Sequence, residues 1–486
     1  MQLSKIFLAL MASSTLVLTG CGGGGGSSSG NDTENPGTPS GGDNNSGGDD
    51  SGDNTSGDGG NTQQASWSAP VSLADGSVTN NDLMVGGAGG KPLIVYRSGA
   101  LILARAFDGS NWNSGSMINS SNGVWNLSLE TNANGKAVIG STYQLTNPST
   151  GYTECHIQYY RYNSTNWGSA NRIRTFAHTN NNYSCYNIRT LKLGLSDDDR
   201  VSMTYWREDN STGRIQSCDS SDQCLTAVNA DAQSTSDKQV VGLGSANGGD
   251  SQILMLDYPE LQSSASRIFS SALTDGTPGS GMIIPGSTTA TGVATLAVND
   301  ANHALALYIQ GTTLKGSFNN GSGFATATDL DTDLSTSAPI STYLSDGADY
   351  GLSIWKNNNA VNAVISDAGS FASAIQNTNS HSYITGATGS INDNGKAVIA
   401  WVGFDNPPID STISAGTLYA RFYDGSQWLD VQTIDTGISV ESGAIMKGGL
   451  GVYLDNSDDA TVAYSAYKDG QVYSEPQLFF SRRVID

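Results

Sequence analysis

Short four-stranded sheets repeated around an axis, an all-β fold, are what this 486-residue sequence predicts. Three observations carry that expectation. An alternating apolar segment of strand length recurs eight times along the chain. Charged residues make up only 14%, while Gly, Ser, Thr and Asn abound, the composition of strands joined by tight turns. And a lone strand precedes the array, while the last repeat ends without its final one.

The chain begins MQLSKIFLALMASSTLVLTGC. Lys5 provides a positive start, and the apolar run Ile6–Leu18 is shorter than the roughly 20 residues needed to span a bilayer. Residues 1–20 therefore read as a signal peptide. Leu18-Thr19-Gly20-Cys21 resembles the lipobox of bacterial lipoproteins. That resemblance implies cleavage before Cys21, acylation of Cys21 and attachment to the membrane through lipid. Gly22, where an aspartate would favour inner-membrane retention, implies the outer membrane, at its periplasmic face or the cell surface.

Residues 21–65 follow as a Gly/Ser/Asp tether with no aromatic and no aliphatic side chain larger than alanine. Such a segment buries nothing that offsets chain entropy, so disorder is expected. A flexible coil of this length spans on the order of 35–40 Å. No Lys or Arg occurs between Lys5 and Lys91, which marks the tether as a spacer.

Residues 66–486 hold the repeats. The segments KPLIVY (91–96), GKAVIGSTY (135–143), RVSMTYW (200–206), SQILMLDY (251–258), HALALY (303–308), YGLSIW (350–355), GKAVIAWVG (395–403) and ATVAY (460–464) share one alternating pattern. Each is preceded by a strand rich in small and apolar residues, such as TLKLGLS (190–196), and followed by a third, such as ARFYD (420–424). A fourth often opens on Trp, as in NWNSGSMIN (111–119) and QWLDVQTID (427–435). The eighth repeat ends at Asp486 without a fourth strand, and SWSAPVSLA (66–74) supplies one. The expectation is a β-propeller of eight four-stranded blades, closed by the N-terminal strand. Closure removes the exposed edges that an open array would leave.

Six repeats carry an aromatic at one register, Tyr96, Tyr205, Tyr308, Trp355, Trp401 and Tyr464. Tyr143 and Tyr258 stand two positions later in the other two, on the same strand face. Such regularity points to packing between blades. The turns SDDDR (196–200), NDNGK (392–396) and DNSDD (455–459) lack the spaced oxygen ligands and the closing acid of a calcium loop, and read as hairpin turns. ARAFDGSNW (104–112) and ARFYDGSQW (420–428) place Asp-Gly between third and fourth strands, as the outer corner of a blade.

Four cysteines remain after Cys21, and export favours disulfides. Cys155 is expected between the second and third strands of repeat 2 and Cys185 between repeats 2 and 3, on one face. Cys218 and Cys224 flank a corner of repeat 3. The pairs Cys155–Cys185 and Cys218–Cys224 fit an up-and-down blade. The same face as Cys155 carries the long connections 144–155, 177–187, 207–213 and 403–416. Long, unusual loops on a rigid scaffold are where ligands are met. His156, His178, Tyr183, Tyr186, Arg207, Phe404, Asp405 and Asp410 are the candidate ligand-binding residues.

A net charge of −22 argues against nucleic acid, whose binding rests on Lys and Arg. The four histidines show no metal-ligand spacing, no nucleophile elbow or P-loop occurs, and no catalytic residue, metal or cofactor is expected. DGSNW and DGSQW resemble the tail of the Asp-box of propeller sialidases, without its leading Ser-x-Asp and its Thr. The sequence thus describes a lipid-anchored propeller that binds a glycan or an envelope or extracellular protein. The alternatives are a glycosidase or polysaccharide lyase on the same scaffold, and an envelope-assembly scaffold. The last is similar in layout to the outer-membrane propeller lipoproteins of barrel assembly, whose TG…W signature is absent here.

Overall fold

A computed structural model describes residues 65–484, except 79–81, 120–123, 177–184, 186–187, 208–212, 231–236, 247–249, 259–266, 288–289, 358, 378–382, 406–413, 441–448 and 468–475. The proposed signal peptide, Cys21 and nearly all of the tether lie outside the described residues. The rest is all-β, with eight separate antiparallel sheets and, among the described residues, no α-helix.

Each sheet is one blade. Their first strands are Leu83–Ala88, Val124–Thr131, Ile188–Leu195, Asp237–Ser245, Ala290–Val298, Ile340–Leu344, Tyr383–Ile391 and Leu450–Leu454. These neighbour one another in order, and that of blade 8 returns to that of blade 1, so the ring closes. Strands crowded around an axis need small residues. A Cβ on Gly451 would fall 2.4 Å from Val85 of blade 1.

Blade 8 is completed by Val71–Ser77, which pairs with the last strand, Gln477–Arg483. Ser68 fastens the join: its N–H donates to Arg482 O (2.7 Å), and its own carbonyl accepts from Ser481 Oγ (2.7 Å). Fourth strands are weakest in blades 3, 4 and 6. In blade 3 it is only Val228–Asn229, and in blades 4 and 6 it is broken into two short pieces.

The recurring aromatics whose side chains are described are buried and pack between blades; the Tyr258 side chain is outside what is described. Tyr96 clusters with Ala463 and Leu478 of blade 8, Trp401 with Ile354 and Val361 of blade 6, and Tyr464 with Phe404 and Leu418 of blade 7. A buried ring with a polar tip usually finds a partner for that tip, although Tyr96, Tyr308 and Trp401 show none among the described residues. Trp355 Nε1 donates to Asp331 of blade 5 (2.5 Å), and the Tyr464 hydroxyl donates to Asp435 of blade 7.

The Asp-Gly stretches are corners. Asp108 Oδ1 accepts from the N–H groups of Ser110 (2.8 Å) and Asn111 (2.7 Å), and Asp424 Oδ1 does the same for Ser426 and Gln427 (both 2.8 Å). Asn163 holds the blade 2 corner in this way. An aromatic pair bridges each neck: Phe107–Trp112, Tyr162–Trp167 and Tyr423–Trp428, with ring centroids 5.1–5.4 Å apart. In blade 3 the Cys218–Cys224 disulfide takes that place.

Candidate binding face

In an up-and-down blade, the connections between strands 1 and 2 and between strands 3 and 4 emerge on one face. The remaining two, strands 2 to 3 and blade to blade, emerge on the other. The first face is regular. Its turns bind one another across blades: Asn132 Nδ2 donates to Ser196 O (3.0 Å), Asn299 Nδ2 to Ala348 O (2.9 Å) and Asn392 Nδ2 to Asp455 O (2.8 Å). The second face is irregular in the length of its connections, many of which lie outside the described residues, and the described candidate residues fall on or near it.

The two cysteine pairs form as the sequence reading has them. Cys155, expected in a connection, instead lies within the third strand of blade 2, Thr153–Tyr162, opposite Phe176. Strands 2 and 3 of that blade pair as far as Thr146↔Thr153, which leaves a short hairpin at 147–152. The disulfide to Cys185 therefore ties a strand, rather than a loop, to the connection entering blade 3.

His156 sits beside it and is 1% exposed. Its ring stacks on Tyr143 (centroids 4.8 Å apart), its Nδ1 meets Thr175 Oγ1 (2.9 Å), and its Nε2 is 3.4 Å from Glu154. Burial, and after it the Arg172 charge, hold His156 below the usual imidazole range, with Glu154 opposing. The neutral ring is a packing element sealed from solvent. Arg172 is exposed, and donates to the Tyr143 hydroxyl (2.6 Å) from above the Tyr143 ring. A strand irregularity at Ile157/Gln158 sets Arg174 opposite Ile157 and Arg172 opposite Gln158, so the two arginines lie on opposite sides of the blade.

Phe404 was expected in a loop, but the blade 7 strand Ala397–Phe404 runs through it and the side chain is fully buried. Gly416 opposite it makes this possible, since a Cβ there would fall 2.5 Å from the Phe404 ring. Asp405 follows at an exposed position. Arg207 ends the second strand of blade 3, and its side chain is outside what is described. His178, Tyr183, Tyr186 and Asp410 lie outside the described residues.

At the axis, carboxylates from the regular face converge. Asp346 is pushed up to about 7, by crowding from surrounding protein and then by the charges of Asp300, Asp393 and Asp197. Asp300 rises to about 6 for the same reasons. Glu130, one residue inside the blade 2 turn, is pushed up to about 8 by burial, with Lys192 opposing and Asp346 adding. No group of three His, Cys, Asp or Glu among the described residues is arranged to hold a metal ion.

Sequence reasoning missed one feature of the regular face, a cleft of about 440 Å³ between blades 1 and 2. It is lined by Lys91, Asp108 and Asn113 of blade 1 and by Gly135, Ser164 and Thr165 of blade 2. Aligning the turns of the repeats against one another would have signalled it.

No family model matches this chain, and no curated protein does. Among solved structures it is similar to the Dos1 propeller, at 11% identity over 87% of this chain and 97% of that one, with a TM-score of 0.46. The α-L-arabinanase of Penicillium chrysogenum aligns at 11% identity over 62% of this chain and 99% of its own, with a TM-score of 0.38. The NanB sialidase of Streptococcus pneumoniae aligns at 12% identity over 88% and 70%, with a TM-score of 0.32. Likeness at this level says nothing about ligand or activity.

Proposed function

We propose that this protein is a lipid-anchored envelope lipoprotein of the outer membrane whose propeller is a binding platform, with the irregular face receiving a glycan or an envelope or extracellular protein. One observation carries the reading, the difference between the two faces. The regular face spends its side chains on its own turns, through Asn132, Asn299, Asn392 and the carboxylate-capped corners. On the outer strand of blade 2, which leads to the irregular face, Arg172 and Arg174 are exposed on opposite sides of the blade, with Arg172 held by the Tyr143 hydroxyl (2.6 Å). Preorganised residues of this kind hold a ligand at low entropic cost. The chain also enters the ring on the regular face, where Trp67 bridges Arg483.

Binding is favoured over catalysis by His156. A general acid or base must come within hydrogen-bond reach of substrate, and this ring is closed off by Tyr143, Thr175 and the strands around it.

Two experiments test the reading. Metabolic palmitate labelling is expected to mark the wild-type protein and to be lost in Cys21→Ser. The detergent-solubilised full-length protein is expected to bind on a glycan array or to a blotted envelope-protein fraction. An Arg172→Glu/Arg174→Glu variant with an unchanged melting temperature should lose that signal, and retention of full binding by that variant would remove the assignment.

A further inference from the structure

The cleft between blades 1 and 2 lies at a mismatch in a position that several other junctions fill with matched residues. The residue that opens the second strand of one blade reaches the residue one position earlier in the next blade's turn. Lys136 of blade 2 pairs with Asp199 of blade 3, and Lys396 of blade 7 with Asp458 of blade 8. His303 of blade 5 meets Asp349 of blade 6 at 2.7 Å. Where blade 7 carries Gly395 at the acid's position, blade 6 presents an aromatic instead. The Tyr350 ring lies 3.2 Å from where a Cβ on Gly395 would stand. In each of these cases the two sides agree, basic side chain with carboxylate or ring with glycine.

At the junction of blades 1 and 2 they do not. The cation is present as Lys91, yet the facing position is Gly135. Lys91 Nζ turns to the main-chain carbonyl of Asp108 (2.9 Å). The Asp108 carboxylate feels the Lys91 charge, but its Oδ1 accepts from Ser110 and Asn111 within its own corner. The cleft opens at this point, with buried Phe107 and Tyr162 behind and exposed Asn113, Ser164 and Thr165 around it. The Asn113 side-chain oxygen is taken by the Ala106 N–H (2.9 Å), which leaves its NH₂ group to donate.

We propose that this cleft is a binding site for a sugar acid, whose carboxylate takes the place of the aspartate that Gly135 lacks. The ammonium of Lys91 is the anchor, as those of Lys136 and Lys396 are for Asp199 and Asp458 in the sister junctions. The hydroxyls and amide around it suit sugar hydroxyls, and the volume suits one or two sugar rings. The site lies on the regular face and shares no residue with the irregular one, so failure of either assignment leaves the other standing.

The sister junctions also supply the test. Asp199 and Asp458 occupy their turns at φ of 67° and 70°, and Gly135 has a φ of 79°. Gly135→Asp therefore places a residue that this turn already accepts, 3.1 Å from a Ser164 hydroxyl that can rotate. Full-length protein is titrated calorimetrically with D-glucuronate, D-glucose and inorganic phosphate. The expected result is binding of glucuronate alone, weakened at least tenfold in Lys91→Met and in Gly135→Asp, with Gly135→Asp melting at or above the wild-type temperature. Absence of glucuronate binding by the wild type, or undiminished binding by Gly135→Asp, would overturn the site. Equal binding of phosphate or glucose would overturn its assignment to sugar acids.

Discussion

Asp222 shows how much one side chain can hold in a propeller. It sits in the blade 3 corner at a φ of 62° and faces blade 2. There it accepts from the Tyr159 hydroxyl (2.6 Å), Arg161 Nε (2.6 Å) and Asn171 Nδ2 (2.9 Å). Burial pushes its carboxyl up, but the hydrogen bonds from Tyr159 and Arg161 outweigh this and hold it below the ordinary range. Arg161 goes on to donate to the carbonyls of Asp199 and Asp219 (both 2.6 Å). Asp222→Ala strips the shared acceptor from three donors and should cost about 2–3 kcal/mol in urea denaturation. Trp355→Ala, which empties a fully buried ring site and removes one donor from Asp331, should cost about 3–5 kcal/mol. A loss under 1 kcal/mol in either would mean that the blade junctions are not where stability resides.

The blade corner is the element that the sequence displays most openly. ARAFDGSNW and ARFYDGSQW repeat because each needs a carboxylate to cap its turn and a ring pair to close its neck. In blade 3 a disulfide performs the closure, and the sequence reading placed that bridge from topology alone. Cys218→Ser with Cys224→Ser reopens a loop of only a few residues. By the chain-entropy estimate it should cost about 2 kcal/mol, read as a fall in melting temperature under non-reducing conditions. Other boundaries were less legible. Phe404 read as part of a long loop because Asn406, Pro407 and Pro408 follow it. The strand reaches it because Gly416 opposite clears space for the ring, a contact between residues twelve apart that local pattern cannot show. His156 read as the first residue of a third strand beside the loop 144–155; the strand starts three residues earlier, at Thr153, and buries it. The Lys91 cleft was hidden differently, since a glycine in a turn attracts notice only when the sister turns are seen to hold aspartate.

At the scale of the whole ring, closure and charge act together. Val71–Ser77 joins the ends of the ring through Gln477–Arg483, so removing residues 66–77 should turn one cooperative melt into a broader, earlier transition by circular dichroism. The same closure brings Asp300, Asp346 and Glu130 toward one axis, each with a pKa above its unfolded value. A carboxyl with a raised folded pKa holds its proton longer in the native state, so its contribution to stability falls as pH rises from about 4 through the folded values near 6 to 8. Melting temperature should therefore rise as pH is lowered from 8.5 to 5.5. Because Asp346 still reaches water at the mouth of the axis, Asp346→Asn should flatten that slope rather than abolish it. These features describe the scaffold, and the claim built on it is that the irregular face meets the ligand. Blocking each face in turn tests this most directly. A bulky maleimide-polymer is attached to full-length protein at Thr150→Cys, in the blade 2 hairpin of the irregular face, or at Ser426→Cys, in a corner of the regular face, both exposed positions. Binding to the uronate-free glycans of the array and to the envelope fraction is then compared. The account predicts loss with the block at residue 150 and retention with the block at residue 426; retention at 150 with loss at 426 would contradict it.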